Sequence, residues 1–267
     1  ADNNVAIGND ALAANTTGAN NVAIGFDASD SNNGSSCIVI GSEAMQSATT
    51  VNKSVAIGNG AMYAHTGTGD EHNVHVGHNA GYNETTGYSN TFVGGLAGYN
   101  ITTGSHSTFV GKGTGGGATT GTYNICIGIN AAPSTASASN ECTLGDSNIN
   151  NLRCNDTSIS SLSDARDKTD VVDLPIGLNF LNTLRPVKFK WATRDGNVKD
   201  GKIRAGFIAQ ELQSAQKDCD YLDLVMDTNP EKLEAKQEHL IPVLVNAVKE
   251  LSAENTALKA RLDAAGL

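Results

Sequence analysis

Asn21-Val22-Ala23-Ile24-Gly25-Phe26-Asp27-Ala28 is the pattern from which the first half of this chain is built. It returns as Ser54-Val55-Ala56-Ile57-Gly58 and, with aromatic residues in the middle, as Thr91-Phe92-Val93-Gly94 and Thr108-Phe109-Val110-Gly111. The marker glycines are Gly8, Gly25, Gly41, Gly58, Gly77, Gly94, Gly111, Gly128 and Gly145, spaced by 16 or 17 residues with one spacing of 19. Each follows an aliphatic residue, from Ile7 to Leu144, and three residues later comes Ala in seven of nine copies. A fixed period of this size marks a stacked repeat, in which one unit is too small to bury its own face and must lie on its neighbours.

The V-x-I element alternates with period two, so its Val and Ile share one face of a short strand. Gly then permits the turn, and the small Ala fits where a second strand approaches closely. A Thr-Thr-Gly turn ending at Gly18, Gly87, Gly104 and Gly121 closes four of the repeats. Nine coils stacked at roughly 4.8 Å give a rod on the order of 40 Å long. The middle strand position holds Ala6, Ala23, Val39, Ala56, His75, Phe92, Phe109, Cys126 and Thr143. Apolar residues on both faces imply that the coil interior covers one and another chain covers the other, which favours an oligomer.

Charge and texture both break near residue 150. Residues 1–150 carry Lys53 and Lys112 against ten acids, a net of −8, whereas residues 151–267 carry 16 bases and 18 acids, a net of −2. A surface so poor in bases cannot neutralise phosphates, so no nucleic-acid partner is expected. No stretch approaches the ~18–20 apolar residues of a membrane span, so no membrane insertion is expected. The chain opens in mid-pattern, which reads as a fragment of a longer protein. Five cysteines without regular spacing indicate neither a disulfide framework nor a zinc site. Cys126 and Cys142, at repeat positions filled elsewhere by Ala or Val, read as small buried residues. His72, His75 and His78 recur every third residue, and a trimer axis would triple them into a metal site. Strand alternation puts His72 and His75 on opposite faces, so solvated or stacking histidines are the reading adopted. No cofactor and no metal are expected.

Beyond the repeat, a helix is predicted from Pro175 with Leu178, Leu181 and Leu184 as its buried stripe, ended by Pro186. Val187, Phe189 and Trp191 alternate with Lys188 and Lys190 as a half-buried strand. Gly206 to Leu212 reads as a strand turning into a helix, so residues 160–235 form a small α+β domain. At the end, Ile241, Val248, Asn255 and Leu262 occupy one heptad position and Leu244, Leu251, Leu258 and Ala265 the other, with Glu254 and Lys259 at flanking g and e. That is a parallel coiled-coil seam, with the long surface helix of a monomer as the bland alternative.

Two resemblances follow from these residues. The V-x-I-G repeats resemble those of trimeric autotransporter adhesin heads and many phage tail fibres, although the repeat here is longer than in the adhesin heads. Ser163-Asp164-x-Arg166-x-Lys168, Arg185-Pro186-Val187-x-Phe189-x-Trp191, Gly206-x-Ile208-Ala209-Gln210-Glu211, and the run from Leu240 to Leu251 occur in order. Together they resemble the endosialidase-type C-terminal intramolecular chaperone, a self-cleaving domain of tailspikes, tail fibres and a eukaryotic membrane-bound transcription factor. The resemblance spans about 160–262. It implies a domain that trimerises the chain and templates its fibre.

It further implies a cut between Leu162 and Ser163, with Ser163 as nucleophile and Lys168 as general base. That chemistry needs a neutral lysine, which desolvation would provide and which Asp167 would oppose. The alternative is that Ser163 and Asp164 cap a turn while Lys168 is solvated.

The expected fold class is mainly β, then α+β. A trimeric β-roll or β-helix shaft fills 1–146 and a transition segment 147–160. The α+β chaperone domain fills 161–239 and a parallel three-stranded coiled-coil helix 240–267. The expected function is a homotrimeric fibre or adhesin that binds a cell-surface receptor, a glycan or a surface protein, from a virion tail or a bacterial surface. The alternative is a self-processing Ser-Lys peptidase that acts once on its own chain. A glycosidase ranks last, because the acids of the shaft show no repeated pairing.

Overall fold

The computed structural model describes residues 2–149, 151–155, 162–192 and 201–266. It separates into two compact units, residues 1–150 and 151–267.

In the first unit each V-x-I element is a three-residue strand, one per coil. These are β1 Val5–Ile7, β2 Val22–Ile24, β3 Ile38–Ile40, β5 Val55–Ile57, β7 Val74–Val76, β8 Thr91–Val93, β9 Thr108–Val110, β10 Ile125–Ile127 and β11 Cys142–Leu144. They form one nine-stranded parallel sheet in register, so Phe92 lies on Phe109 and Val22 on Ile38. The result is a β-solenoid. The long spacing between Gly58 and Gly77 accommodates an extra strand, β6 Thr68–Asp70, which pairs in parallel with β4 Thr50–Asn52.

Inside and outside are assigned by the pleat. The middle residue of the strand points inward: Ala23, Ala56, His75, Phe92, Phe109 and Cys126 are all fully buried. Phe92 and Phe109 stack at 5.0 Å between ring centres. The Val and Ile of each strand point outward, and Ile7, Ile38, Ile125, Ile127 and Leu144 are exposed. Cys142, read from sequence as buried, is exposed for that reason. It occupies an outward strand position in the last coil, whereas Cys126 occupies an inward one.

The marker glycines are required twice over. Gly94 has φ +133°, a conformation L residues rarely adopt, and a Cβ there would lie 2.5 Å from the carbonyl oxygen of Gly111 in the next coil. This sharp bend sends the chain inward. The following Ala therefore packs inside a turn (Ala28, Ala44, Ala61, Ala80 and Ala97 are fully buried) and not against a second strand as the sequence suggested.

Just before the strands runs an internal asparagine ladder. Asn90 Nδ2 donates to the Gly104 carbonyl at 2.7 Å, while its Oδ1 accepts from Ser107 N at 2.8 Å. Asn73 and Asn124 repeat the arrangement one coil before and two coils after. Backbone groups enclosed in the coil are thereby satisfied, as burial demands.

The second unit is a small α/β region with a long C-terminal helix. Its helices are α1 Leu178–Leu181, α2 Ala209–Ala215 and α3 Ile241–Ala264. Its strands are β12 Val187–Lys190, β13 Ile203–Gly206, β14 Val225–Met226 and β15 Glu234–Ala235, in two antiparallel pairs, β12–β13 and β14–β15. Phe180, Leu212, Leu222, Leu224, Val225, Leu240 and Val243 form its core.

The helix predicted from Pro175 is one turn long. Gly177 precedes it in a non-helical conformation, and Phe180, not the leucine stripe, is its buried residue. β12 alternates half-buried Val187 and Phe189 with exposed Lys188 and Lys190. Trp191 lies past the strand end, 47% exposed, and meets Phe189 edge-on. α3 is anchored by its first turns, where Val243 and Ala247 are buried and Asn246 donates to the carbonyls of Leu174 and Ile176. Glu250 accepts from Leu178 N at 2.7 Å, covering the free N-terminus of α1.

Candidate functional site: a Ser-Lys turn and two exposed apolar faces

Ser163-Asp164-x-Arg166-x-Lys168 folds as a tight turn. Asp164 caps a single 3-10 turn, residues Ala165–Asp167, by accepting from Arg166 N at 2.9 Å. It also takes the Arg166 guanidinium in a forked pair, with Nη2 at 2.6 Å. The two charges reinforce each other, so the Asp164 carboxyl is held below its usual range by the guanidinium beside it. The turn reverses the chain far enough for Lys168 Nζ to donate to Ser163 Oγ at 2.6 Å. The two residues singled out from sequence as nucleophile and base are thus within hydrogen-bonding reach. Both are exposed, as is Leu162 on the other side of the Leu162–Ser163 bond.

The remaining motif residues tie the second unit together. Arg185 Nε donates to Glu211 Oε2 at 3.1 Å, so the Arg-Pro strand and the Ala-Gln-Glu helix start are linked by one forked ion pair. This pair is exposed and contributes little to stability.

Two apolar faces stay uncovered. One is the outward Val and Ile column of the solenoid. The other is the seam of α3, where Ile241, Leu244, Val248, Leu251, Leu258 and Leu262 are all at least 42% exposed. Leu244 also borders a shallow groove lined by Leu181, Leu184, Pro186, Phe207 and Leu240.

The three histidines noted from sequence do not converge. His72 and His78 are exposed, while His75 is buried and stacked on Phe92 at 4.7 Å. Sequence reading missed the partners His75 does have. His65, Glu84 and Glu71 are buried beside it, with Glu84 Oε2 at 3.1 Å from His75 Nε2 and 3.8 Å from His65 Nδ1.

Among the described residues no helix is long and apolar enough to cross a membrane. No curated protein and no solved structure matches this chain. One family does match, and over residues 163–221 alone, from the Ser-Lys turn through α2. Over those residues the chain is similar to the family described as chaperone of endosialidase, here carried in the same polypeptide as a β-solenoid.

Proposed function

We propose that this chain is a segment of a homotrimeric fibre or adhesin whose C-terminal unit drives trimerisation and templates folding of the shaft. The observation that carries this reading is the outward aliphatic column. The solenoid completes its interior without it, yet Ile7 is 58% exposed, Ile38 42%, Ile125 43%, Ile127 45% and Leu144 51%. An aliphatic column that recurs in every coil, half-buried in the middle coils and exposed towards both ends, is the kind of surface a partner chain covers. The α3 seam supplies a second apolar line, and the family match supports a chaperone role in fibre folding. Such a fibre would act at a virion tail or cell surface and engage a glycan or surface protein. Light scattering of the full chain at micromolar concentration is expected to give the mass of three copies. A mass of one or two copies would remove this reading.

A second reading is favoured by one distance. With Lys168 Nζ 2.6 Å from Ser163 Oγ, the turn has the parts for one cut of the Leu162–Ser163 bond. The serine oxygen attacks the Leu162 carbonyl, lysine takes the hydroxyl proton and returns it to the leaving amine, and water hydrolyses the ester. Intact mass tests it: cleavage releases a fragment of 105 residues, Ser163 to Leu267.

A further inference from the structure

The solenoid interior is apolar in two stretches, Leu12 to Met62 and Ala80 to Ala131. Between them lies a polar layer. His65 and Glu84 occupy the same register position in successive coils, seven residues after Gly58 and Gly77, where other coils place Asn32, Ala48, Ile101 and Ala118. His75 occupies the inward strand position that its neighbours give to Ala56 and Phe92. Three ionisable side chains, His65, His75 and Glu84, are therefore fully buried together, with Glu71 at their edge, 4.0 Å from His65 Nε2.

The layer is poorly satisfied. Glu84 Oε1 accepts from Asn90, but Glu84 Oε2 and all four imidazole nitrogens have no hydrogen-bond partner within the chain. His75 Nε2 and Glu84 Oε2 are close enough to share a proton but are misaligned. Buried polar groups left without a hydrogen bond destabilise the closed coil. Among the described residues no set of three His, Cys, Asp or Glu is arranged to hold a metal ion.

We propose that the His65–His75–Glu84–Glu71 layer is a pH-sensitive seam, the level at which the coils of the shaft loosen first as the medium turns acidic. It lies within the coils of one chain, so it does not depend on how many copies assemble.

Burial disfavours every charge in the layer. It lowers His65 to about 4, and it lowers His75 to about 3 with a contribution from His65. It raises Glu84 well above the ordinary carboxylate value, against the hydrogen bond from Asn90 and with help from Glu71. Glu71 is itself raised by burial, an effect that exposed His72 partly offsets. Phe92, stacked on His75, supplies no charge.

The signs then follow. An imidazole lowered by folding contributes stability above its unfolded value of about 6.5 that is lost as pH falls towards its folded value. A carboxyl raised by folding contributes stability below its unfolded value that is lost as pH rises towards its folded value. As pH falls below about 6, opening takes up protons at the two imidazoles, offset in part by protons released from Glu84 and Glu71, so the opening equilibrium rises. As pH rises the imidazoles drop out, and release of the Glu84 proton on opening acts in the opposite direction.

Native-state hydrogen exchange on the full chain tests this, with intrinsic rates corrected at each pH. Peptides within residues 62–92 are expected to lose protection several-fold from pH 6 to 5, while peptides within 100–130 change less. A second arm replaces the layer with residues from neighbouring coils, as His65→Ala, His75→Phe and Glu84→Ile, and should flatten the dependence. Parallel change in both segments, or an unaltered slope in the triple variant, would overturn the proposal. If that variant does not fold, the comparison of segments in the unaltered protein decides alone.

Discussion

Gly94 and Gly117 are both glycines of the solenoid, and their difference shows what the repeat demands of single residues. Gly94 sits at φ +133° with the next coil's carbonyl where a Cβ would go, whereas nothing lies within 4 Å of a Cβ placed on Gly117. Gly94→Ala must bring backbone strain and a clash with backbone, costing about 2 kcal/mol or more. Gly117→Ala should stay within about 0.5 kcal/mol of neutral. Thermal melts at matched protein concentration check the pair, and equal effects would contradict the packing described here. The marker glycines were legible because their period exposed them. The Asn73, Asn90 and Asn124 ladder was not, although it stands in the same register. An Asn before a strand reads equally well as a loop residue, and only coil closure reveals that Asn90 is buried. His65 and Glu84 escaped for a similar reason, since the 19-residue spacing between Gly58 and Gly77 hides that they share a column.

Among elements, strands survived the passage from sequence to structure better than helices did. A V-x-I strand is defined by period two and by the glycine that ends it, so its bounds are local. α1 was overextended because Leu178, Leu181 and Leu184 have helical spacing, while what ends the helix is non-local. Glu250 on α3 fixes its start at Leu178, and burial of Phe180 sets its orientation. α3 shows the opposite. The helix itself was visible in the apolar spacing of its exposed face, but the other face, where Val243, Asn246 and Ala247 hold it to the domain, depends on partners some 70 residues away.

The Ser-Lys turn is the element with the most specific consequence. Asp164 and Arg166 close it by local contacts that survive outside any assembly. Ser163 and Lys168 are exposed in the single chain, however, so neighbouring copies must exclude water before the pair can act. Cleavage is therefore expected only in assembled protein. Ser163→Ala and Lys168→Ala should each leave a single full-length mass and an unchanged oligomer. Full-length mass throughout days of incubation of the assembled, unaltered protein would leave the turn a structural cap.

For the whole molecule, order of assembly is the physical problem. Coils pair with coils about 17 residues away, so one chain's solenoid forms through modest loops. In the proposed trimer, bringing the aliphatic columns of three chains into register would be a separate event between molecules, slow to nucleate and prone to mispairing while apolar strands are exposed. A C-terminal unit that ties the ends of three chains raises their effective concentration and sets that register. The central claim is therefore tested by expressing residues 1–150 alone beside the full chain and measuring the mass of the soluble product by light scattering. The account predicts a trimer from the full chain and aggregated or unassembled protein from residues 1–150; a soluble trimer from residues 1–150 would contradict it.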